Sequence, residues 1–406
     1  MADFHQNGQI ATLHNLRTTS TEQLETQLRS FAKERNIWLV LPSLFSELEG
    51  AALPRILDEL SHADYIDHVV IGLDRADADQ YRHACEFFSR LPQKHSVLWN
   101  DGPRLRAIDA DLSEAGVAPI REGKGRNVWY CFGYTLAGRR ADVVGLHDCD
   151  ILTYDRNMLA RLLYPVSHPE FPYQFCKGYY PRTADGKLNG RVNRLLVGPI
   201  LMALSKVLGP SEYLDYLRGF RYALAGEFAM NINVVKDIRV PSDWGLEIGV
   251  LSEAWRNINQ RAICQVELSD NYDHKHQPLS PEDKSKGLSR MSRDICKSLF
   301  RKLATDGVVF HRETFRALKA TYYRTALDQI EWYHSAATIN GLALDRHVEE
   351  QAVELFASSI VDAGKAFVEN PMETPFIPNW SRVTAAHPGI MKRIRDAVAA
   401  DQTEFG

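Results

Sequence analysis

The chain has 406 residues, 45% hydrophobic and 25% charged, with a formal net charge of −4 at pH 7. That length buries a substantial core and suits one large domain with additions, or two domains. The charge excludes a nucleic-acid coat, and no apolar run approaches the roughly 20 residues that span a bilayer. The six cysteines are scattered, without a C-x-x-C pair, and fit reduced thiols in a cytosol better than a disulfide framework or a zinc site.

Met1 to Thr21 is polar, lacks the apolar region of a signal peptide and reads as a loose tail. Ile37-Trp38-Leu39-Val40-Leu41 predicts a short buried strand stopped by Pro42, and Glu47 to Leu60 a helix. His68 to Leu73 predicts a second strand ending at Asp74, and Asp77 to Leu91 a helix. Ser96 to Trp99 predicts a third strand, closed by the turn sequence Asn100-Asp101-Gly102-Pro103. A helix over Lys124 to Gly138 leads into the apolar run Val143-Val144-Gly145-Leu146. Repeated β-then-α units imply a parallel sheet with helices on both faces, whose ligands bind at the carboxyl ends of the strands. Pro42, Asp74 and Asp148 all fall at such ends.

Further on, Phe175 to Tyr180 reads as a strand, Val192 to Val207 as an apolar helix, Leu246 to Ile258 as a helix and Ala262 to Leu268 as a strand. From Ser280 onward the pattern is almost wholly helical, over about Pro281–Ala304, His311–Ala336, Asp345–Val368 and Ser381–Ala399, with a Pro-rich break from Asn370 to Pro378.

The most informative stretch is His147-Asp148-Cys149-Asp150 after the apolar run. Residues i and i+2 of an extended segment share a side, so Asp148 and Asp150 can face one point. Two adjacent carboxylates repel unless a cation lies between them, and hard oxygen ligands suit Mg²⁺ or Mn²⁺ bound together with substrate phosphates. Gly123-Lys124-Gly125 before a helix lets the backbone approach a phosphate and adds a charge to the helix start. Asp273-His274-Lys275-His276 follows a strand and offers an imidazole to a metal. Asn189-Gly190-Arg191-Val192-Asn193-Arg194 opens an apolar helix with guanidinium forks that match phosphate or carboxylate. Glu247 and Glu227 read locally as helix-start carboxylates that stabilise the helix dipole. Taken singly, each of these segments also reads as an ordinary solvated loop, turn or helix start.

In this order the segments resemble the glucosyl-3-phosphoglycerate synthases, retaining glycosyltransferases of the GT-A fold. The resemblance spans roughly Trp38 to Leu279. It rests on Val40-Leu41-Pro42-Ser43-Leu44, Gly123-Lys124-Gly125, Asp148-Cys149-Asp150, Lys177-Gly178-Tyr179-Tyr180, Gly190-Arg191-Val192, Leu224-Ala225-Gly226-Glu227, Gly245-Leu246-Glu247-Ile248-Gly249 and His274-Lys275-His276-Gln277-Pro278-Leu279. It implies an α/β fold, the Rossmann-like nucleotide-diphospho-sugar transferase (GT-A) architecture, with a helical C-terminal extension. Residues 1–36 become an N-terminal tail and helix. Residues 37–280 become the catalytic domain, with a nucleotide-binding half (37–150) and an acceptor-binding half (151–280), and residues 281–406 become the extension.

By the same resemblance Pro42, Ser43, Leu44, Glu47, Asp74, Lys124, Asp148, Cys149, Leu224 and Ala225 bind the donor. Asp150 and His274, with Asp148, hold the Mg²⁺ or Mn²⁺. Gly190, Arg191, Asn193 and His276 hold the acceptor, and Glu247 and Asp150 serve catalysis. Cys149, Asn193, His276 and Tyr272 depart from the residues usual there, which leaves sugar and acceptor preference open.

The implied activity moves glucose from UDP- or GDP-glucose to the 2-hydroxyl of 3-phosphoglycerate, with retention. Mannosyl transfer and transfer to glycerate are the nearest alternatives. A haloacid-dehalogenase-like phosphatase and a non-catalytic sugar-nucleotide-binding protein are alternatives of other classes. The phosphatase motif normally follows the first strand, whereas at least three predicted strands precede Asp148. The partners implied are the two substrates, with no nucleic acid and no membrane, in the cytoplasm. Leu318, Tyr322, Thr325 and Ile330, beside Val348, Ala352, Leu355 and Ile360, predict helix faces that pack on the catalytic domain or form a homodimer surface.

Overall fold

The computed structural model describes residues 6, 8–119, 121–274, 287–371 and 376–406. Its strands are β1 (Ala11–Leu13), β2 (Ile37–Leu44), β3 (Ile66–Asp74), β4 (Lys94–Trp99), β5 (Val143–Leu146), β6 (Phe175–Tyr179), β7 (Thr183–Ala184), β8 (Lys187–Leu188), β9 (Phe228–Asn231), β10 (Val240–Pro241), β11 (Ile263–Glu267) and β12 (Phe376–Ile377). Eight of them form one sheet in the order β1-β11-β6-β9-β5-β2-β3-β4. β9 runs antiparallel to β5 and β6, and the other pairings are parallel. Helices cover both faces, which is why β2, β3 and β5 read as unbroken apolar runs rather than alternating ones.

Several sequence expectations are corrected. Pro42 does not stop β2, which continues to Leu44. Pairing of β2 with β5 ends at Val40 opposite Leu146, so from Leu41 on that side is a free edge, where a residue lacking an N–H is tolerated. The expected helix from Glu47 is a short 3₁₀ turn, Phe45–Glu47, followed by the helix Ala52–Leu60. Asn100 to Pro103 does turn the chain, but Pro103 also opens an unanticipated helix, Pro103–Glu114, because its fixed φ suits a first helical turn. The N-terminal segment is not a loose tail throughout: Ala11–Leu13 pairs with Cys264–Val266 as the edge strand of the sheet. The apolar helix from Val192 begins as a π-helical segment, Val192–Val197, before Gly198–Leu208.

Beyond β11 lie the helices Gly287–Thr305, Arg312–Ile339, Arg346–Glu369, Trp380–Ala386 and Ile390–Phe405. The expected single helix over Ser381–Ala399 is two, because Pro388 cannot continue the first and Gly389 turns the chain at φ 89°. Leu318, Tyr322, Thr325, Ile330, Ala352 and Ile360 are all buried within this one chain, and one apolar cluster runs without interruption from the sheet into the C-terminal helices. Of the two expected readings, packing within the chain therefore accounts for these six residues, while Val348 and Leu355 stay partly exposed.

The extension also grips the helix Lys124–Gly138. Trp380 stacks on Trp129 at 4.0 Å between ring centroids, and their indole N–H groups donate to Trp129 O and Pro378 O respectively. A Cβ on Gly133 would stand 2.2 Å from the Trp380 ring, so only glycine admits it. Among the described residues no helix is long and apolar enough to cross a membrane.

Candidate active site

Lys124 occupies the first turn of its helix. Gly123 precedes it at φ 132°, a conformation L side chains rarely adopt, and Gly125 follows so close to the β10 backbone that a Cβ would lie 1.9 Å from Pro241 O. These glycines aim the lysine across the carboxyl ends of the strands. Its Nζ lies 2.6 Å from Asp148 Oδ1 and 3.3 Å from Glu247 Oε1. Burial works against the ammonium, yet the two carboxylates hold it charged well above the ordinary lysine value. Burial likewise opposes the Asp148 carboxylate, and Lys124 reverses this, lowering it below the usual range. Gly226 lies against the same carboxylate, since a Cβ there would come within 2.4 Å of Asp148 Oδ2. Glu247 sits in the first turn of Leu246–Asn257, whose loop is pinned by Gly245 N donating to Asp243 Oδ1 at 2.9 Å.

β5 ends at Leu146, so both aspartates lie just past the strand. The alternation expected of an extended segment persists: Asp148 and Asp150 are partly exposed, and Cys149 between them is buried. The two acids then diverge. Asp150 Oδ1 is buried without a hydrogen-bond partner among the described residues, 3.8 Å from His274 Nδ1. His274 is brought there by its bridge to Ile151 and by Leu152 N donating to Asp273 O at 2.9 Å. A buried carboxylate oxygen with no donor beside an imidazole fits a hard divalent cation. Asp148 is paired with Lys124 and also feels the charge of His274. Among the described residues no group of three or more His, Cys, Asp and Glu is assembled for a metal, so diphosphate oxygens and water would supply the remaining ligands.

Glu227, read locally as a helix-start acid, instead precedes β9 and is 1% exposed. Tyr180 and Tyr272 donate to its two oxygens at 2.7 and 2.6 Å, and their rings stack at 3.6 Å. Burial, then the nearby Asp148, pushes its carboxyl up. Lys177, fully buried, donates to Ala225 O and is pushed down to about 8 by burial. The centre thus sets three carboxylates (Asp148, Glu227, Glu247) around two lysines.

On the expected donor side, Pro42 and Leu44 share the half-exposed face of β2, while Ser43 points inward beside the buried Cys149. Glu47 follows in the 3₁₀ turn. Asp74 accepts from Asn100 Nδ2 at 2.8 Å, and burial pushes it up to about 6. Leu224 is half-buried, and Ala225 fully so. On the acceptor side, Gly190 turns at φ 77° against the Tyr222 hydroxyl, Asn193 is half-buried, and Arg191 Nε donates to Glu349 of the helix Arg346–Glu369 at 2.7 Å. His276 lies outside the described residues. Tyr180 and Glu349 were not singled out from the sequence, and Glu227 was read only as a helix-start acid. Tyr180 stood in a quoted motif, whereas nothing local marks Glu349.

A mostly parallel sheet with one reversed strand, and carboxylates and a lysine gathered at its carboxyl ends, is the architecture of a GT-A nucleotide-sugar transferase. The chain is 45% identical over 404 residues to the glucosyl-3-phosphoglycerate synthase of Persephonella marina, covering 100% of both. It is 36% identical over 408 residues to that of Methanococcoides burtonii, covering 99% of both. The chain belongs to the glucosyl-3-phosphoglycerate synthase family. The crystal structure of the Mycobacterium tuberculosis synthase with Mn²⁺, UDP-glucose and phosphoglyceric acid shares the fold, at TM-score 0.53 and 24% identity over 72% of this chain and 87% of that one. No family model matches the sequence.

Proposed function

We propose that this protein transfers glucose from UDP-glucose to the 2-hydroxyl of 3-phosphoglycerate, with retention at the anomeric carbon. The observation that carries the reading is the full-length match to two named synthases, which spans every residue of the cleft and the helical extension.

In this reading Pro42, Leu44 and Asp74 frame the nucleoside. Lys124 places a fixed positive charge where the diphosphate lies, and Glu247, tethered to it, orients sugar hydroxyls. Asp150 and His274 hold the divalent cation, which neutralises charge on the departing diphosphate. Gly190 and Arg191 hold the acceptor's anionic end. No side chain stands out as a nucleophile, so the acceptor hydroxyl attacks from the leaving-group face. The new C–O bond forms there as the C–O bond to diphosphate breaks, and the hydroxyl proton passes to a departing phosphate oxygen. Catalysis is then positioning and electrostatics.

Six free thiols, five of them buried, support a cytoplasmic location. A homodimer is built through the outward Trp332 and Ile339 of Arg312–Ile339, which lie two turns apart on one side of the helix and are 60% and 86% exposed.

Incubation with Mn²⁺, UDP-glucose or GDP-glucose or their mannose counterparts, and 3-phosphoglycerate or glycerate, with products identified by mass spectrometry, tests this. A glucosylated phosphoglycerate from UDP-glucose is expected, and its absence overturns the reading.

A further inference from the structure

Glu349, on the helix Arg346–Glu369, is 2% exposed, and its carboxylate is shared between two arginines of the acceptor-side segment. Oε1 accepts from Arg191 Nε and Oε2 from Arg194 Nη1, each at 2.7 Å. The arginines differ in what remains to them. Arg194 is 6% exposed and fully engaged: Nε donates to Asn189 O at 2.7 Å, Nη2 to Leu188 O at 3.4 Å, and its guanidinium carbon lies 4.9 Å from the Tyr333 ring centroid. It locks the turn that precedes Arg191. The Arg191 side chain is 38% exposed, and among the described residues only its Nε makes a hydrogen bond. The Nε edge of its fork is taken, and the terminal Nη1/Nη2 edge is left.

The extension holds this segment at a second point. The Tyr322 hydroxyl donates to Leu195 O at 2.6 Å inside the π-helical stretch Val192–Val197, and such bulges recur at functional sites.

We infer that Glu349 is a positioning residue for the acceptor: it clamps Arg191 by Nε so that the acceptor's phosphate or carboxylate is received end-on by Nη1 and Nη2. This rests on the reading of Arg191 as the acceptor's anion-binding residue. A guanidinium meets both demands because its donors lie in one rigid plane, whereas a lysine cannot hold Glu349 and present a two-toothed edge at once. Two guanidiniums against one carboxylate also leave one net positive charge for the anion. The helical extension thereby becomes part of the acceptor site.

The test is steady-state kinetics on Arg191→Ala, Arg191→Lys, Glu349→Gln and the Arg191→Ala/Glu349→Gln double variant, with acceptor and donor KM measured separately. Glu349→Gln is expected to raise acceptor KM about tenfold, the scale of one charge-assisted hydrogen bond, with donor KM within about twofold. In the Arg191→Ala background the same change should alter acceptor KM by less than about twofold, because the residue it acts through is gone. Arg191→Lys should behave like Arg191→Ala. If Arg191→Ala raises acceptor KM but Glu349→Gln leaves it unchanged or lowers it, or the two effects simply add, the positioning role fails alone. If Arg191→Ala leaves acceptor KM unchanged, the reading of Arg191 fails with it. Should Glu349→Gln not fold, since it strands the buried Arg194, Arg191→Lys decides: a wild-type acceptor KM in that variant overturns the inference.

Discussion

Lys124 Nζ stands 2.6 Å from Asp148 Oδ1, so one aspartate of the Asp-Cys-Asp element is matched by a lysine, while Asp150 Oδ1 is buried without a hydrogen-bond partner among the described residues. Asp148 carries its lowered pKa because of Lys124, so the stability it contributes is present above the ordinary aspartate value and lost as pH falls through its folded value. Lys124→Ala should therefore destabilise the protein at neutral pH by roughly 1–2 kcal/mol, discounted because the lysine remains about a third exposed. Thermal melting at neutral and at acidic pH checks this, with the gap from wild type narrowing in acid. An unchanged melting temperature at neutral pH refutes it.

Asp150→Ala should remove the carboxylate whose Oδ1 is buried without a donor beside His274. Mn²⁺ affinity in the presence of UDP, read by calorimetry, should fall by more than about tenfold, since even residues that merely support ligands have effects of that size. Far-ultraviolet dichroism should stay that of the wild type. Unaltered Mn²⁺ binding removes Asp150 from the metal site.

Asp74 makes a pH prediction. Burial raises it from 3.8 to about 6, so its contribution to stability is full below 3.8 and lost as pH rises through about 6. Asn at this position keeps an acceptor for Asn100 and carries no charge. Relative to wild type, Asp74→Asn should gain about 2 kcal/mol between about pH 4.5 and about pH 7.5, by linkage. Chemical denaturation at the two pH values measures it, and a constant difference would count against a raised Asp74.

The homodimer is checked by light scattering on the full chain. A dimer mass at micromolar concentration is expected, and Trp332→Glu should shift it to monomer, because a charge placed in a buried interface without a partner is costly. A monomer mass for the wild type ends the proposal. A dimer indifferent to Trp332→Glu moves the interface elsewhere.

Much of the cleft was legible because its signals are local. The apolar runs of β2, β3 and β5 each end at the residues that face the site, and Gly123-Lys124-Gly125 announces a helix start whose observed bounds, Lys124–Gly138, match the expected ones. Pro42 and Pro103 misled for one reason. Proline's effect depends on whether a neighbouring strand needs its N–H and on whether the next residues continue a helix, and neither is visible in the proline itself.

What the sequence alone determined is the order of strands and helices, the collinear motifs that mark the family, and the presence of Asp148, Asp150, Lys124 and His274 at element ends, since periodicity and turn chemistry act over a few neighbouring residues. Tertiary structure decided how those groups divide: Asp148 to Lys124, Asp150 to His274, Glu227 beneath the Tyr180–Tyr272 stack, and Arg191 and Arg194 on a carboxylate more than 150 residues away in the C-terminal helices. An ion pair or a buried hydrogen bond has no periodicity of its own. Its partners are chosen by which helices pack on which strands, and that packing depends on the whole apolar core rather than on either residue.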